Sequence, residues 1–120
     1  MNHPDEATSH GAVVAQLDEL TPMDCPCGTT GRAFTDVEET PASVHLLEVS
    51  DVARTHHHRH QTEIYIVLDG SGVLEIDDSE VPLKPMTAVM IRPGQRHRAV
   101  GDLKLLNVVV PSFDPDDEWF

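Results

Sequence analysis

The sequence has little positive charge, few cysteines and no long apolar stretch, and each shortage excludes a class of protein. Lys and Arg number 8 against 21 Asp and Glu, which gives a net charge of -13. So acidic a surface repels phosphate backbones and anionic lipid head groups, so neither nucleic acid nor a membrane surface is an expected partner. Two cysteines cannot staple a secreted disulfide scaffold, so the fold must depend on its apolar core.

No segment approaches the roughly 20 apolar residues of a membrane-spanning helix. The polar first ten residues also lack the layout of a secretory signal. The sequence therefore predicts a cytoplasmic location. A length of 120 residues corresponds to one compact domain.

Beyond residue 43 the chain is a series of short β-type runs separated by turn residues, and no run keeps a helical period. We expect strands over residues 43–49, 63–68, 73–76, 87–91 and 103–110. Residues 69–72, Asp-Gly-Ser-Gly, predict a hairpin loop, because glycine adopts the positive φ of such turns. Residues 77–80 predict a second polar turn. Short strands at this regular spacing predict an all-β barrel or sandwich.

The first third of the chain carries less pattern. Residues 1–11 predict a loosely held terminus, and residues 12–20 fit either a helical face or a short strand. Residues 21–31 are dense in Pro, Gly, Thr and Cys, which is typical of a loop. We therefore expect an N-terminal extension and loop over 1–32, a barrel domain over 33–114 and a tail over 115–120.

The run 63–68 is apolar on both faces. Alternation places Ile64 and Ile66 opposite Glu63 and Tyr65. A strand of this kind is covered on both sides, by a second sheet or by a partner subunit. The pattern therefore predicts a homodimer.

Histidine is in excess, with eight in the chain and four of them within residues 56–60. In an extended segment His56 and His58 project to one side, whereas His57 points away. Farther along, Glu63 opens an apolar strand, where a divalent cation would offset the cost of a buried carboxylate. His97, which follows a tight Pro-Gly turn, is the fourth candidate ligand. Three imidazoles and one carboxylate suit Fe, Mn, Ni, Cu or Zn and leave two positions of an octahedral ion open.

Nearby side chains are candidates for the pocket. Arg54 shares strand parity with His56, and Tyr65 shares it with Glu63, so we expect both to line the cavity. Arg54 would suit an anionic substrate, although a surface position stays open. His60 lies in the bend between the two ligand strands and is a further pocket candidate. Glu63, if it shifts off the metal, and Tyr65 are the candidate catalytic bases.

Cys25 and Cys27 are separated by one residue, unlike the Cys-x-x-Cys of redox and zinc sites. Two cysteines alone cannot close a tetrahedral site, although a dimer could pair two such segments. A second metal or redox site at Cys25 and Cys27 therefore stays open beside a structural loop with free thiols.

The spacing resembles that of the cupins, small double-stranded β-helix or jelly-roll proteins. Their first motif is His-x-His, three or four residues, Glu, six residues and Gly, and it is matched by His56, His58, Glu63 and Gly70. Their second motif resembles residues 93–97, Pro-Gly-x-x-His. The resemblance implies a jelly-roll barrel with one divalent transition metal on His56, His58, Glu63 and His97.

The resemblance also implies reaction classes. Dioxygenases, decarboxylases and isomerases of sugars or keto acids occur among cupins, and their cation polarises a bound oxygen or activates dioxygen. We therefore expect a metal-dependent enzyme that acts on a small polar organic molecule. Dioxygenase-type chemistry is preferred over an isomerase or a decarboxylase. A non-catalytic module that captures a small ligand in the same cavity is the alternative.

Overall fold

The computed structural model describes residues 6–7, 11–51 and 53–120. Its strands pair antiparallel in one two-stranded and one seven-stranded sheet. Two short 3-10 helices cover Leu17–Glu19 and Pro115–Asp117. The strands are β1 (Glu6–Ala7), β2 (Val13–Val14), β3 (Met23–Cys25), β4 (Gly28–Ala33), β5 (Ser43–Val49), β6 (Thr62–Ile76), β7 (Ser79–Leu83), β8 (Ala88–Ile91) and β9 (His97–Val110).

Strands β6 and β9 form the central pair of the large sheet, whose order is β3-β4-β5-β9-β6-β7. On one edge β6 pairs with β9 along its whole length. On its other edge it pairs with β8 in its first half and with β7 in its second half. This exchange of neighbours rolls the sheet into the all-β jelly-roll barrel that the sequence predicts.

Inward-facing side chains change from apolar to polar along the strands. Val67 of β6 pairs with Leu105 of β9, and both are fully buried in the apolar core. The next inward row crosses four strands, and every member of it has a polar group. It consists of Arg32 of β4, His45 of β5, Asn107 of β9 and Tyr65 of β6.

The predicted hairpin loop at 69–72 is wrong, because these residues lie inside the continuous strand β6. Gly70 and Gly72 do not reverse the chain; they allow the backbone of β9 to come close to that of β6. A Cβ at Gly70 would lie 1.9 Å from the carbonyl oxygen of Asp102, and one at Gly72 would lie 2.0 Å from that of Val100. The reversal occurs after Ile76, within the second predicted turn.

The predicted loop over 21–31 is also wrong, since it contains β3 and most of β4. Thr29 and Thr30 are β-branched and suit a strand, and the Pro-Gly-rich part is only the tight turn between β3 and β4. Strand β4 pairs with β5 and therefore runs across the predicted domain boundary at residue 33. The ambiguous segment 12–20 forms β2 and a 3-10 helix.

The loosely held terminus predicted for residues 1–11 falls mostly outside the described residues, which include only residues 6, 7 and 11 of it. Within the described part of the chain, no helix has the length and apolar character needed to cross a membrane. A cytoplasmic location stays a prediction.

Candidate metal centre

The four predicted ligands meet inside the barrel. Their ligand atoms all lie within 4.8 Å of one another, and all four residues are buried. Oε1 of Glu63 is 3.1 Å from Nε2 of His58 and 3.0 Å from Nε2 of His97. Strand β6 carries Glu63, β9 begins at His97, and a β-bridge joins His56 to His97. The spacing-based prediction of this cluster therefore agrees with the geometry.

Backbone carbonyls set the ring orientation of all three histidines. Nδ1 of His56 lies 3.0 Å from the carbonyl oxygen of Arg54, and Nδ1 of His58 lies 2.7 Å from that of Asp117. Nδ1 of His97 lies 2.9 Å from the carbonyl oxygen of Gln95. A carbonyl oxygen only accepts, so each Nδ1 must carry the proton. In a neutral ring, Nε2 is then unprotonated and carries the free lone pair that metal ligation requires.

The inward atoms of the cluster lack conventional partners. Nε2 of His58, Nε2 of His97 and Oε1 of Glu63 are buried and have no hydrogen-bond partner of acceptable geometry among the described residues. Buried polar atoms are rarely left in this state, and several that converge on one point indicate a missing shared ligand. The donor set is therefore suited to a divalent transition metal.

The charges of the cluster support the same assignment. Burial alone would raise the pKa of Glu63, but the imidazoles of His58 and His97 outweigh it and hold that pKa well below its usual range. Burial would lower the pKa of His58, but the Glu63 carboxylate raises it. Burial, with a further effect of His97, lowers the pKa of His56 to about 4. In the metal-free protein the Glu63 carboxylate therefore favours the protonated form of His58, and a cation on the cluster would compete with that proton.

Asn107 is a site residue that the sequence reasoning missed. Its Nδ2 donates to Oε2 of Glu63 at 2.5 Å, which leaves Oε1 to face the histidines. The signal was available, because Asn107 is a polar residue at an inward position of β9 between Leu105 and Val109. An amide at such a position must have a polar partner.

The C-terminal tail holds the ligand loop. Both carboxylate oxygens of Asp117 accept backbone hydrogen bonds, from Arg59 and His60, at 2.9 Å each. A β-bridge between His57 and Trp119 continues the contact. Nothing in the composition of the tail predicted this, since its partners lie near residue 58.

A cavity of about 30 Å³, measured as the space open to the centre of a water molecule, adjoins the ligands. Tyr65 lines it as predicted, and burial raises its pKa well above the usual value. Glu118 also lines the cavity, and its pKa is raised, chiefly by burial. Other lining residues that the sequence reasoning did not single out are Thr30, Arg32 and Phe113.

Two predicted pocket residues do not line this cavity. Arg54 is exposed, and its guanidinium lies 3.7 Å from the ring centroid of Phe120. The parity argument failed because residues 53–55 are not in a strand, so alternation does not fix their side chains. His60 is also exposed, in the bend that Asp117 caps.

Cys25 and Cys27 form a disulfide, so the expected free thiols are not found. A disulfide has no thiolate to ligate a metal, so the second metal site that the sequence leaves open at these cysteines is not formed in this state. Hairpin pairing of β3 with β4 brings the two sulfurs together. Both cysteines nevertheless line the cavity beside the histidines.

Comparison with known proteins gives a consistent fold. The family model described as a cupin domain matches residues 43–109. A protein of known structure from Planctomyces limnophilus is 42% identical, with a TM-score of 0.84, over 89% of this chain and 95% of its own. No curated protein matches the chain.

Two enzymes of known structure are similar in fold at low identity. The nucleoside dehydratase Pac13 from Streptomyces is 18% identical with a TM-score of 0.75, over 86% of this chain and 85% of its own. Ectoine synthase from P. lautus is 17% identical with a TM-score of 0.70, over 85% of this chain and 80% of its own. At these identities the likeness concerns the fold alone.

Proposed function

Because this chain belongs to the cupin family, we propose that it is a metal-dependent enzyme that acts on a small polar organic molecule inside the barrel. The convergence of His56, His58, Glu63 and His97 within 4.8 Å carries the proposal. A divalent transition ion on these side chains would supply Lewis acidity and, if it is Fe or Mn, oxygen activation. The preferred reaction is of the dioxygenase type.

The chain's own groups have distinct parts in this function. Asn107 and three backbone carbonyls orient the ligand side chains. The pKa of Glu63 lies well below its usual range, so its carboxylate is a weak base. The pKa of Tyr65 lies well above its usual value, so its hydroxyl is already protonated near neutral pH. Neither side chain therefore takes up a proton as the candidate base. Tyr65 can instead donate a hydrogen bond to a bound molecule.

The size of the cavity restricts the substrate. About 30 Å³ of space for water centres holds about two water molecules. Only a small group of a substrate therefore reaches the cluster, and this space does not set the size of the rest of the molecule.

One experiment separates the functional classes. The purified chain is assayed for its metal by elemental analysis, and dioxygen uptake is followed with diols, keto acids and phenols. A redox-active ion and dioxygen uptake support the proposal. A redox-silent ion would favour an isomerase or decarboxylase, and tight ligand retention without turnover would favour a binding module.

Neighbouring histidines supply the control for this experiment. His58→Gln removes a ligand and should abolish stoichiometric metal binding. His57→Gln should not, because the His57 ring is outside the ligand cluster. Equal metal content in both variants, or no metal in the wild type, would refute the proposed centre.

We also propose a homodimer through the outer face of β6, β8 and β9. Ile64 is flanked across the sheet by Met90 and Val108, and Met90 is 57% exposed. A second copy would cover this apolar patch. Met90→Lys should then convert a dimer to a monomer in light scattering, whereas Val14→Lys should not. A monomeric wild type would contradict the dimer.

The cytoplasmic location and a redox role for Cys25 and Cys27 remain predictions.

A further inference from the structure

Strand β4 brings a half-buried cation, Arg32, into the cavity wall. Arg32 pairs across the sheet with His45, which in turn pairs with Asn107, so Arg32 belongs to the polar row next to the metal cluster. Nε of Arg32 and Oγ1 of Thr30 are buried and have no hydrogen-bond partner among the described residues. Both residues line the cavity.

The contacts of Arg32 hold its side chain, and the Glu118 carboxylate attracts its charge without forming an ion pair with it. The guanidinium carbon lies 4.1 Å from the ring centroid of Phe113, and Nη1 lies 3.1 Å from the sulfur of Met23. None of the ion pairs found among the described residues includes Arg32. The buried Nε of Arg32 and the buried hydroxyl of Thr30 have no partner, and both are donors that match a carboxylate.

The charge of the cavity favours the same class of ligand. Glu63 and Glu118 are its carboxyl groups, and Arg32 is its permanent cation. His45 adds no charge near neutral pH, since burial and the Arg32 charge lower its pKa to about 4. With a divalent ion on the cluster, one net positive charge remains even when both carboxyl groups are ionised. A monoanion would balance it.

We propose that the cavity binds a small carboxylate, with its carboxylate group on Arg32 and Thr30 and a second oxygen function directed to the metal cluster. The inference rests on the proposed metal centre and names the class of its substrate. Because the cavity is small, the part of the ligand that enters it has only a few non-hydrogen atoms.

The test uses glycolate and its neutral isostere glycolamide. Both are titrated calorimetrically into the full chain loaded with one equivalent of zinc, which is confirmed by elemental analysis. Glycolate should bind at least tenfold more tightly than glycolamide. Arg32→Gln should abolish this preference while zinc stoichiometry is kept, and Arg32→Lys should retain part of it. Arg92→Gln, which removes an exposed arginine outside the cavity, should leave it unchanged.

The outcomes distinguish the inference from the proposed function. If the wild type takes up no zinc, the metal centre itself fails. If zinc binds but glycolate shows no advantage, or keeps its full advantage in Arg32→Gln, the anion site at Arg32 is wrong. Should Arg32→Gln not fold, a full tenfold preference in both Arg32→Lys and Thr30→Val would reject the anion site.

Discussion

The contact between Asp117 and the ligand loop gives the sharpest test of how the metal centre is held. We predict that Asp117→Ala destabilises the fold and weakens metal binding together. Asp117 is only 3% exposed, accepts from the amides of Arg59 and His60 at 2.9 Å, and accepts from the indole of Trp119 at 3.2 Å. Its own carbonyl fixes His58. One side chain therefore supports the loop that carries a ligand.

The size of the effect follows from these bonds. A hydrogen bond to a charged group contributes about 1.5–3 kcal/mol, and two backbone amides would lose theirs at once. Trp119 is 37% exposed, so its indole can turn to water. We expect a loss of about 3 kcal/mol in the free energy of unfolding, or roughly 10 °C in Tm. Loss of a group that orients a ligand lowers metal affinity by about 10- to 100-fold.

The neighbouring Asp116 supplies a matched control. Asp116 is exposed, and it contacts Asp114 through its backbone amide, which the substitution keeps. Asp116→Ala therefore removes the same charge from the same turn but breaks none of the buried hydrogen bonds of Asp117. Thermal unfolding in chelator reports the stability, and competition with a chromophoric chelator reports zinc affinity. If Asp117→Ala behaves as Asp116→Ala does in both assays, the tail does not support the site and the reasoning is refuted.

Three further predictions concern single residues. Asn107→Leu should lower zinc affinity by about 10- to 100-fold, because Glu63 loses its donor, and unchanged affinity in chelator competition would contradict this. Burial lowers the pKa of His45 to about 4 in the folded chain, against 6.5 for an unperturbed imidazole, so its contribution to stability is complete above pH 6.5 and fades as the pH falls towards 4. Denaturant unfolding in chelator should therefore show that His45→Gln removes up to about 3 kcal/mol of this pH dependence, and an unaltered slope would contradict it. Gly70→Ala should cost well over 1 kcal/mol more than Gly94→Ala, since both glycines have positive φ but only Gly70 faces a backbone carbonyl, and equal Tm values would contradict it.

The candidate metal cluster and the positions of the main strands along the chain were predictable, whereas the shape of the cavity was not. His56, His58 and Glu63 are close in sequence, and strand alternation fixes which way such residues face. The glycines at 70 and 72 misled because glycine serves both turns and close backbone contacts, and sequence alone does not separate these two uses.

Arg32 escaped notice for a related reason. It lies beside a segment whose Pro, Gly and Thr content indicated a loop, and only its pairing with His45 in β5 turns it inward. Arg54 was the expected pocket arginine because parity was applied to residues 53–55, which are outside any strand. Local patterns therefore identified the candidate ligands, and cross-strand register determined which other side chains reach them.

The contacts that orient the centre join residues far apart in the chain, and this has a consequence for folding. The bond from His58 to Asp117 spans 59 residues, and that from Asn107 to Glu63 spans 44. Neither contact exists until the barrel is closed, so an unfolded chain cannot present the four ligands in this geometry. A cation that binds the closed form alone stabilises it by mass action. The same closure sets Arg32 beside the cluster, because β4 reaches the site only through β5 and β9. Ligand geometry and barrel stability are therefore linked through the same long-range strand pairs.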